Sequence, residues 1–463
     1  MSQDLRSRSA GRRRAKQAER HRDGLAKIVA FARAESPYYR ELYQGLPEHI
    51  IDPTLLPATS KKKLMARFDD WVADRSVTLS EVQTFLSKPE LIGTPFHDKY
   101  LVATTSGSTG TPGVFLLDNY NHRAVRRWAA RAMLNWLTLS DIIRLLRNRA
   151  RSAVVVATGA HFVAVATISA VARSRFGGFS RVFSAQMPLN ELVDELNKFR
   201  PAILTGYASM IMLLANEQQA GRLCVHPVIV GPSSEALPAS EFQRLKQIFG
   251  ARHVGMSYVA TEALGIANTC ELGWLHLDSD FVIAEPVDAN HQRVPAGVQS
   301  HSVLITNLAN RIQPILRYEL GDSIWQRPEA CECGSPFPAI RVQGRTSDLL
   351  RFTRRDGLVV SLAPLQLQTA VDFIQGIDQF QIVQISPETL RVHLRFKEGA
   401  NAEEVWKTVD ASLMKLLSSQ KISHVEIEHA SEPPEYRYGF KFRSVIPLGG
   451  GVARVGPVHL HSV

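Results

Sequence analysis

Residues 104–115 read Thr-Thr-Ser-Gly-Ser-Thr-Gly-Thr-Pro-Gly-Val-Phe. The first ten of them include six residues with hydroxyl side chains and three glycines. An apolar piece, Tyr100 to Ala103, precedes the stretch and suits a strand, and a segment that suits a helix begins at about Asn119. Glycines let the backbone curl so that several N–H groups point at one centre, and hydroxyls add donors. The stretch predicts a polyphosphate-binding loop. A flexible Ser/Gly linker is the alternative, and a Walker loop is excluded because no Gly-Lys-Ser/Thr sequence closes it.

Four further motifs follow the loop at a distance. They are Tyr258-Val-Ala-Thr-Glu262, Arg317-Tyr-Glu-Leu-Gly-Asp322, Gly344-Arg-Thr-Ser-Asp348 and Gly439-Phe-Lys-Phe-Arg443. In this order they resemble the motifs of the adenylate-forming (acyl/aryl-CoA synthetase) superfamily, in particular its phenylacetate–CoA ligase branch. The resemblance spans residues 104–443, most of the chain. The insertion Arg354-Arg-Asp-Gly357 looks like a subgroup related to deazaflavin-cofactor adenylating enzymes.

Strand and helix patterns alternate between residues 153 and 249, which predicts parallel α/β layers. Residues 280–325 contain short strands with turns, which predicts a small β subdomain. From about Arg345 a smaller α+β pattern begins. We therefore expect an α/β fold: a large N-terminal adenylation domain of layered parallel α/β subdomains plus a small β subdomain (1–344), followed by a small mobile α+β lid domain (345–463).

The chain of 463 residues has a formal net charge of +10, concentrated in residues 6–22 and 123–151. The simplest interpretation of these basic residues is that they lie on a helical face exposed to solvent and in a basic N-terminal arm at 1–22. The alternative is a surface for an acidic carrier protein. Nucleic acid is not expected, because no aromatic residue is interleaved with the basic residues before Phe31.

The compartment and the membrane relation follow from two other patterns. No apolar run follows the basic N-terminus, so we expect no secretory signal and a cytoplasmic protein. Residues 153–172 carry no formal charge, but Ala and Val dominate their apolar positions. We interpret them as a buried strand (Ala153–Ala157), a Gly turn and a buried helix rather than a membrane span, and expect no membrane partner. A homodimer stays open.

When an enzyme joins a carboxylate to ATP, it brings the negative carboxylate close to the negative phosphates. Two like unit charges repel by about 4 kcal/mol at about 4 Å and an effective dielectric near 20. The resemblance assigns roles in this reaction to several residues. Lys441 would lie between the carboxylate and the α-phosphate, and Glu262, beside Thr261, would bind Mg²⁺. Asp322 would bind the ribose hydroxyls, Arg345 ribose or phosphate oxygens, and Tyr258 would stack on adenine. The remaining nucleotide-binding residues would be the phosphate loop (Thr105, Ser106, Gly107, Ser108, Thr109, Gly110) and the adenine-lining segment (Ser234, Glu235, Ala236).

Each of these assignments has a plainer alternative. Asp322 follows a glycine and suits a turn, Glu262 suits a helix N-terminus, and Lys441 lies between aromatic residues in what suits a strand. His161 and Phe162 resemble a segment whose aromatic residue lines the acyl pocket, but a core histidine explains His161 equally well. Tyr207 would line the same pocket, and a helix cap is its alternative.

The cysteines suggest a metal site. Cys331 and Cys333 form a compact pair, and Cys270 and His276 lie upstream. Three thiolates and one imidazole make a closed tetrahedral zinc shell, which is structural rather than catalytic, and the phenylacetate–CoA ligase branch has a similar pattern. The alternative is two buried free thiols plus an exposed pair. Cys224 is left over, and we expect it in the core.

Together these patterns predict an acid–thiol ligase that needs ATP and Mg²⁺ and carries a structural Zn²⁺. It would convert a small, by its branch aromatic, carboxylic acid to the acyl-adenylate and transfer it to coenzyme A or to the phosphopantetheine of an acidic acyl carrier protein. Adenylyl transfer to a cofactor hydroxyl and a non-catalytic nucleotide-binding, zinc-stabilised scaffold are the alternatives. Ser347 replaces an acidic hinge residue of the family, which puts the thiol step in more doubt than adenylation.

Overall fold

The computed structural model describes residues 2–105, 113–158, 161–173, 177–235, 237, 239–278, 280–345, 349–362, 364–372, 374–435 and 442–449. The described residues fall into two compact units, 2–342 and 343–449. The three largest hydrophobic clusters form their cores. Two lie in the first unit, one beneath the N-terminal helices and antiparallel sheets and one around a parallel sheet, and the third lies in the second unit.

The first unit begins with helices: α1 (Ser2–Glu35), α2 (Pro37–Leu42), α3 (Lys61–Ala66), α4 (Phe68–Trp71) and α5 (Leu79–Leu86). Helix α1 ends where Ser36 and Pro37 predict it, and the Ser36 hydroxyl accepts a hydrogen bond from Tyr39 N at the start of α2. The helical spacing of apolar residues covers Leu25 to Ala34, whereas the helix begins upstream, at Ser2. The basic segment 2–22 continues the helix because Arg, Lys, Ala and Glu favour helix even without an apolar stripe.

A hairpin and two helices lead into the parallel sheet: β1 (Leu101–Thr104), β2 (Val114–Leu117), α6 (Asn119–Trp136) and α7 (Leu139–Arg147). Strands and helices then alternate: β3 (Ser152–Val156), α8 (Val163–Ala172), β4 (Ser180–Ser184), α9 (Leu189–Phe199), β5 (Ile203–Tyr207), α10 (Ala208–Gln219), β6 (Ile229–Ser233), α11 (Ala239–Phe249) and β7 (His253–Val254). The strand order is β4-β3-β5-β6-β7, all parallel. The predicted parallel α/β layer is confirmed.

The rest of the first unit is antiparallel: β8 (Ser257–Ala260), β9 (Ala263–Thr269), β10 (Leu275–Leu277), β11 (Val282–Val287), β12 (Ser302–Asn307), β13 (Tyr318–Glu319), β14 (Asp322–Gln326) and β15 (Ala339–Arg345). They form a five-stranded sheet, β14-β15-β10-β9-β8, and a three-stranded sheet, β11-β12-β13. Helix α6 packs on β9, where a side chain on Gly265 would collide with Trp128. The predicted small β region is confirmed.

The second unit contains β16 (Leu350–Thr353), β17 (Val359–Leu362), α12 (Pro364–Asp372), β18 (Ile377–Ser386), β19 (Thr389–Phe396), α13 (Ala402–Ser419), β20 (Glu426–His429) and β21 (Val445–Ile446). Strands β18 to β21 form a sheet of order β20-β19-β18-β21. Helix α13 buries Val405, Val409, Leu413 and Leu417, a stripe at four-residue spacing. The insertion 354–357 is the turn of the β16–β17 hairpin.

The apolar segment 153–172 is strand β3 followed by helix α8, as its Ala- and Val-rich pattern predicts. Within the part of the chain that the structure describes, no helix combines the length and apolarity that crossing a bilayer requires.

Candidate active site

The two ends of the predicted phosphate loop are tied together. Thr105 N donates to Gly113 O at 3.0 Å, and Gly113 N donates to Thr105 Oγ1 at 2.8 Å. Strands β1 and β2 flank these residues as an antiparallel hairpin, with Thr104 opposite Val114. The sequence suggested a strand, a loop and then a helix, so it missed β2. The predicted loop residues Ser106, Gly107, Ser108, Thr109 and Gly110 lie outside the described residues.

The carboxyl ends of β5 and β6 bring three predicted residues to one edge of the parallel sheet, the edge where α/β proteins bind ligands. Tyr207 ends β5, and Ser234 and Glu235 follow β6. Ser234 has φ +65°, a left-handed conformation that turns the chain sharply here. The Glu235 carboxylate accepts hydrogen bonds from Ser209 N (2.7 Å) and Ser209 Oγ (3.1 Å), which caps helix α10. Ala236 lies outside the described residues.

Tyr207 is a buried phenol at this edge. Burial raises the pKa of Tyr207, a hydrogen bond with the Ala157 backbone lowers it, and the charge of Glu235 raises it further. The net shift is upward, so the hydroxyl stays protonated at neutral pH. Tyr207 is the residue before the first turn of α10, as the helix-cap alternative requires, but its side chain makes no capping hydrogen bond.

His161 lies in the core, and its main chain contacts Thr104, the last residue before the predicted phosphate loop. Its side chain is 3% exposed, its ring centroid lies 5.5 Å from that of Phe85, and its Nε2 lies 3.3 Å from Lys88 O. Burial lowers the pKa of His161, although the Lys88 carbonyl raises it. Its main-chain oxygen accepts from Thr104 N at 2.7 Å, and Phe162 bridges to Thr104. These contacts fit the core-histidine alternative, and Phe162 is half-buried at the start of α8.

Tyr258 and Asp322 meet directly. The Tyr258 hydroxyl donates to Asp322 Oδ2 at 2.6 Å, a charge-assisted hydrogen bond. Tyr258 lies on β8, and Asp322 is the buried first residue of β14. Asp322 is therefore a buried carboxylate oriented by a phenol rather than only an exposed turn residue.

Glu262 lies in the turn between β8 and β9, with half-buried Thr261 beside it. This placement excludes the helix N-terminus that the sequence left open. The side chain is 7% exposed, its Oε1 accepts from the Tyr318 hydroxyl at 2.8 Å, and its main-chain oxygen accepts from Asn307 Nδ2 at 2.9 Å. Tyr318 belongs to the 317–322 motif, but the sequence assigns it no role. No sequence signal points to Asn307.

Arg317 opens the same motif as Tyr318 but has a structural role. It adopts φ +46°, and its guanidinium donates to Leu56 O at 2.8 Å and to His291 O at 3.1 Å. Its Nε lies 3.5 Å from the fully buried Glu285 carboxylate. Burial raises the pKa of Glu285, which the positive charge of Arg317 opposes. The motif thus anchors the strand that carries Tyr318.

Two predicted residues cannot be described at the level of their side chains. Arg345 is the last residue of β15, and only its main chain is described. Lys441 lies outside the described residues, as does Ser347.

The three cysteines and the histidine predicted to bind metal come together. Each offers one ligand atom, and these atoms all lie within 4.8 Å of one another. Cys270 Sγ is 3.9 Å from Cys331 Sγ, and Cys333 Sγ is 3.3 Å from His276 Nε2. Two tight turns present the sulfurs, closed by Gly273 N to Cys270 O and by Gly334 N to Cys331 O. The fourth cysteine, Cys224, is exposed, so its predicted core position is wrong; the loop 221–225 leads it out to solvent.

The donor set of this Cys/His cluster suits a divalent metal ion. His276 Nδ1 lies 2.9 Å from Phe337 O, which fixes the ring with Nε2 towards the sulfurs. Burial lowers the pKa of His276, so the imidazole is neutral and able to coordinate. Without a cation, burial and the neighbouring thiols raise the pKa of Cys333 to about 12. Thiolates packed so closely need a positive charge between them.

Comparisons with known proteins bear on the fold. No protein-family model matches the chain. Protein CapK of Staphylococcus aureus is 23% identical over 230 residues, and this match spans about half of each chain (49%). A similar solved structure is that of 2-hydroxyisobutyryl-CoA ligase in the postadenylation state, in complex with 2-HIB-AMP. It superposes on this chain with a TM-score of 0.66 and 20% sequence identity, and the match covers 94% of this chain and 90% of the ligase. Its open conformation with 2-HIB-AMP and CoA gives a TM-score of 0.54 at 20% identity, with coverage of 92% and 90%. Over nearly its whole length, the chain therefore has the α/β fold of 2-hydroxyisobutyryl-CoA ligase.

Proposed function

We propose that this protein activates a small carboxylic acid with ATP to its acyl-adenylate, releases pyrophosphate, and transfers the acyl group to a thiol. Fold alone does not assign a reaction, so the proposal rests on the residues at the site. The motifs expected of an adenylating enzyme occur along the chain in the expected order, and the fold matches that of a ligase whose solved complexes contain an acyl-AMP and CoA.

The observation that carries the proposal is a pair of buried, oriented carboxylates. Asp322 receives the hydroxyl of Tyr258, and Glu262 receives that of Tyr318. A buried carboxylate that keeps its charge needs such donors or a cation. Asp322 would bind the ribose hydroxyls through its two oxygens, and Glu262 would bind Mg²⁺, which when bound would offset the charge of the phosphates. Thr261 would support Glu262 in the same turn.

The nucleotide would lie against the first unit in a defined order. The loop 105–113 would hold the phosphates with main-chain N–H groups, since its ends are fixed by the Thr105–Gly113 hydrogen bonds. The main chain of 234–236 and the ring of Tyr258 would hold the adenine. Arg345 would contact ribose or phosphate oxygens, and Lys441 would join the carboxylate and the α-phosphate in the transition state.

The acid would bind beside the carboxyl edge of the parallel sheet. Tyr207 and Phe162 offer aromatic surface there, and the resemblance to the phenylacetate–CoA ligase branch favours an aromatic acid. Coenzyme A is the acceptor that the solved relative's complexes hold. A phosphopantetheine arm on a carrier protein presents the same thiol.

We further propose that Cys270, His276, Cys331 and Cys333 hold a structural Zn²⁺. Four protein ligands fill a tetrahedral shell and leave no position for substrate. The cluster joins the end of β9, strand β10 and the 331–334 turn, so bound zinc would tie that turn to the paired strands β9 and β10.

The experiment is a product analysis. The purified protein is incubated with ATP, Mg²⁺, CoA and single acids from an aromatic, a fatty and a hydroxy-acid panel, and the products are identified by mass spectrometry. We expect AMP, pyrophosphate and one acyl-CoA thioester. AMP attached to a hydroxyl compound instead of a thioester would support adenylyl transfer to a cofactor, and no ATP consumption with any acid would contradict the proposal.

A further inference from the structure

A concave basic surface lies at the amino edge of the parallel sheet, the edge opposite Tyr207 and Ser234. Two adjoining cavities of about 510 and 460 Å³ open there, and both are lined by Arg151 and Lys198. Arg200 lines the first, and Arg149 and Arg181 line the second. We call these five side chains the amino-edge basic cluster. A five-residue strand rises about 16 Å, so the cluster is well separated from the candidate active site.

Arg151 lines both cavities, and contacts of its main chain and side chain hold it in position. Its main-chain oxygen accepts from Ala202 N (2.8 Å) and Ile203 N (3.0 Å), which ties it to the start of β5. Its guanidinium carbon lies 5.9 Å from the centroid of the Phe199 ring. Its Nε is buried and has no hydrogen-bond partner among the described residues. Because this Nε is buried, any contact of Arg151 with a ligand would come from the other nitrogens of its guanidinium group.

The charges of the cluster are not balanced. Glu195 lies 3.0 Å from Arg181 and 3.0 Å from Lys198 and so neutralises part of the rim. Within the described parts of the chain, Arg149, Arg151 and Arg200 have no carboxylate at ion-pair distance. Asp194 lines the first cavity without pairing with them. Asp194 and Glu195 thus offset part of the positive charge that lines the two cavities, but neither carboxylate lies at ion-pair distance from Arg149, Arg151 or Arg200 within the described residues.

The backbone beside these cavities is strained. Arg149 (φ +54°), Ala150 (φ +47°) and Arg200 (φ +50°) all adopt the left-handed conformation, which L residues other than Asn and Asp rarely use. Glycine would adopt it at lower cost at each position. Arginine thus occupies two left-handed positions on the rim of one surface, and Arg200 is also the residue that caps the C-terminus of α9.

We propose that the amino-edge basic cluster binds a small phosphorylated anion. Guanidinium groups are planar forks that match the several oxygens of a phosphate or pyrophosphate group, and the two open depressions place several of them on one surface. An acidic protein surface would instead be attracted about equally by the exposed arginines of helix α6. The proposal does not depend on the proposed adenylation reaction.

The test is isothermal titration with inorganic pyrophosphate, using variants that separate binding from folding. Arg200→Gly removes a guanidinium but relieves the left-handed strain, so the unfolding temperature is expected to stay the same or rise. Arg149→Gln removes a second, exposed guanidinium. Arg126→Gln on α6 is the matched control, because Arg126 is also exposed.

We expect the wild type to bind pyrophosphate at the amino-edge basic cluster. Arg200→Gly and Arg149→Gln should each weaken this affinity by roughly tenfold, as loss of a charged hydrogen bond predicts. In Arg126→Gln the affinity should stay within twofold of the wild-type value. A second step, insensitive to all three variants, would report the candidate active site; its absence would count against the adenylation proposal and not against this one. Equal affinity in all four proteins, or an equal loss in Arg126→Gln, would overturn the amino-edge site.

Discussion

The Tyr258 hydroxyl donates to Asp322 Oδ2 at 2.6 Å although β8 and β14 are the two outer strands of their five-stranded sheet. In a flat sheet these strands would lie about 19 Å apart, which a tyrosine and an aspartate cannot bridge. The sheet must therefore curl until its outer strands meet. This curvature unites a residue of the 258–262 motif with a residue of the 317–322 motif.

We expect Tyr258→Phe to raise the KM for ATP by roughly five- to fifty-fold with a smaller change in kcat. Asp322 would lose the charged hydrogen bond that, on the proposed function, orients it towards the ribose. Steady-state kinetics with ATP varied at saturating acid measures this. Tyr100→Phe is the matched control, since Tyr100 donates to the Asp74 carboxylate at 2.7 Å in an equivalent tyrosine–aspartate pair. An unchanged KM in Tyr258→Phe, or the same rise in Tyr100→Phe, would remove Asp322 from the nucleotide site.

Glu262→Gln should lower kcat by on the order of 10²-fold and shift the Mg²⁺ requirement to higher concentration, because an amide is a weaker magnesium ligand than a carboxylate. Tyr318→Phe removes the 2.8 Å hydrogen bond that orients Glu262 and should have a smaller effect in the same direction. A magnesium titration of activity compares the two variants with Glu319→Gln, the residue next to Tyr318. If the magnesium dependence of Glu262→Gln matched the wild type, Glu262 would have no role in metal binding.

Metal analysis of protein purified without chelators should find about one zinc per chain. Cys331→Ser should lose the zinc and unfold at a lower temperature, because binding of a structural metal contributes directly to folding. Cys224→Ser is the control, since Cys224 is exposed and lies outside the cluster. Less than about half a zinc per chain in the wild type would contradict the assignment.

The acid sensitivity of the fold should depend on Asp141, which joins α7 to β7. Burial alone would raise the pKa of Asp141, but hydrogen bonds from Thr138, His253 and Arg252 lower it to about 2. A lowered pKa stabilises the folded state above the unfolded value near 4 and loses that stabilisation as the pH falls towards 2. Asp141→Asn should therefore be less stable than the wild type by about 2 kcal/mol at pH 7.

Urea unfolding at several pH values measures this difference. It should shrink between pH 4 and pH 2, whereas the exposed Glu398→Gln should show little difference at any pH. A constant gap between Asp141→Asn and the wild type over this range would show that the carboxylate charge is not what stabilises α7.

Much of the fold follows from the sequence because local patterns determine it. Helix α6 begins at Asn119, where the sequence suits a helix start, and the alternation between 153 and 249 is a parallel layer. What local patterns cannot supply is pairing over distance. Strand β2 pairs with β1 in a hairpin that the sequence did not indicate, and α1 begins upstream of the apolar spacing of Leu25 to Ala34.

The contacts within the candidate site could not be predicted from the sequence. The cysteines and His276 meet because β9, β10 and the 331–334 turn converge, which their spacing only suggests. Tyr318 and Asn307 were missed as partners of Glu262, since a tyrosine or an asparagine gains this role only from the strand opposite it. Glu235 was expected to contribute main chain, yet its carboxylate caps α10.

The most direct test of adenylation is exchange of labelled pyrophosphate into ATP without any thiol present, across aromatic, fatty and amino acids. We predict exchange that depends on one class of carboxylic acid and that falls by on the order of 10²-fold or more in Lys441→Ala. The absence of exchange with every acid, in protein shown to bind ATP, would contradict the account. Exchange that persists unchanged in Lys441→Ala would leave adenylation intact and contradict the role given to Lys441.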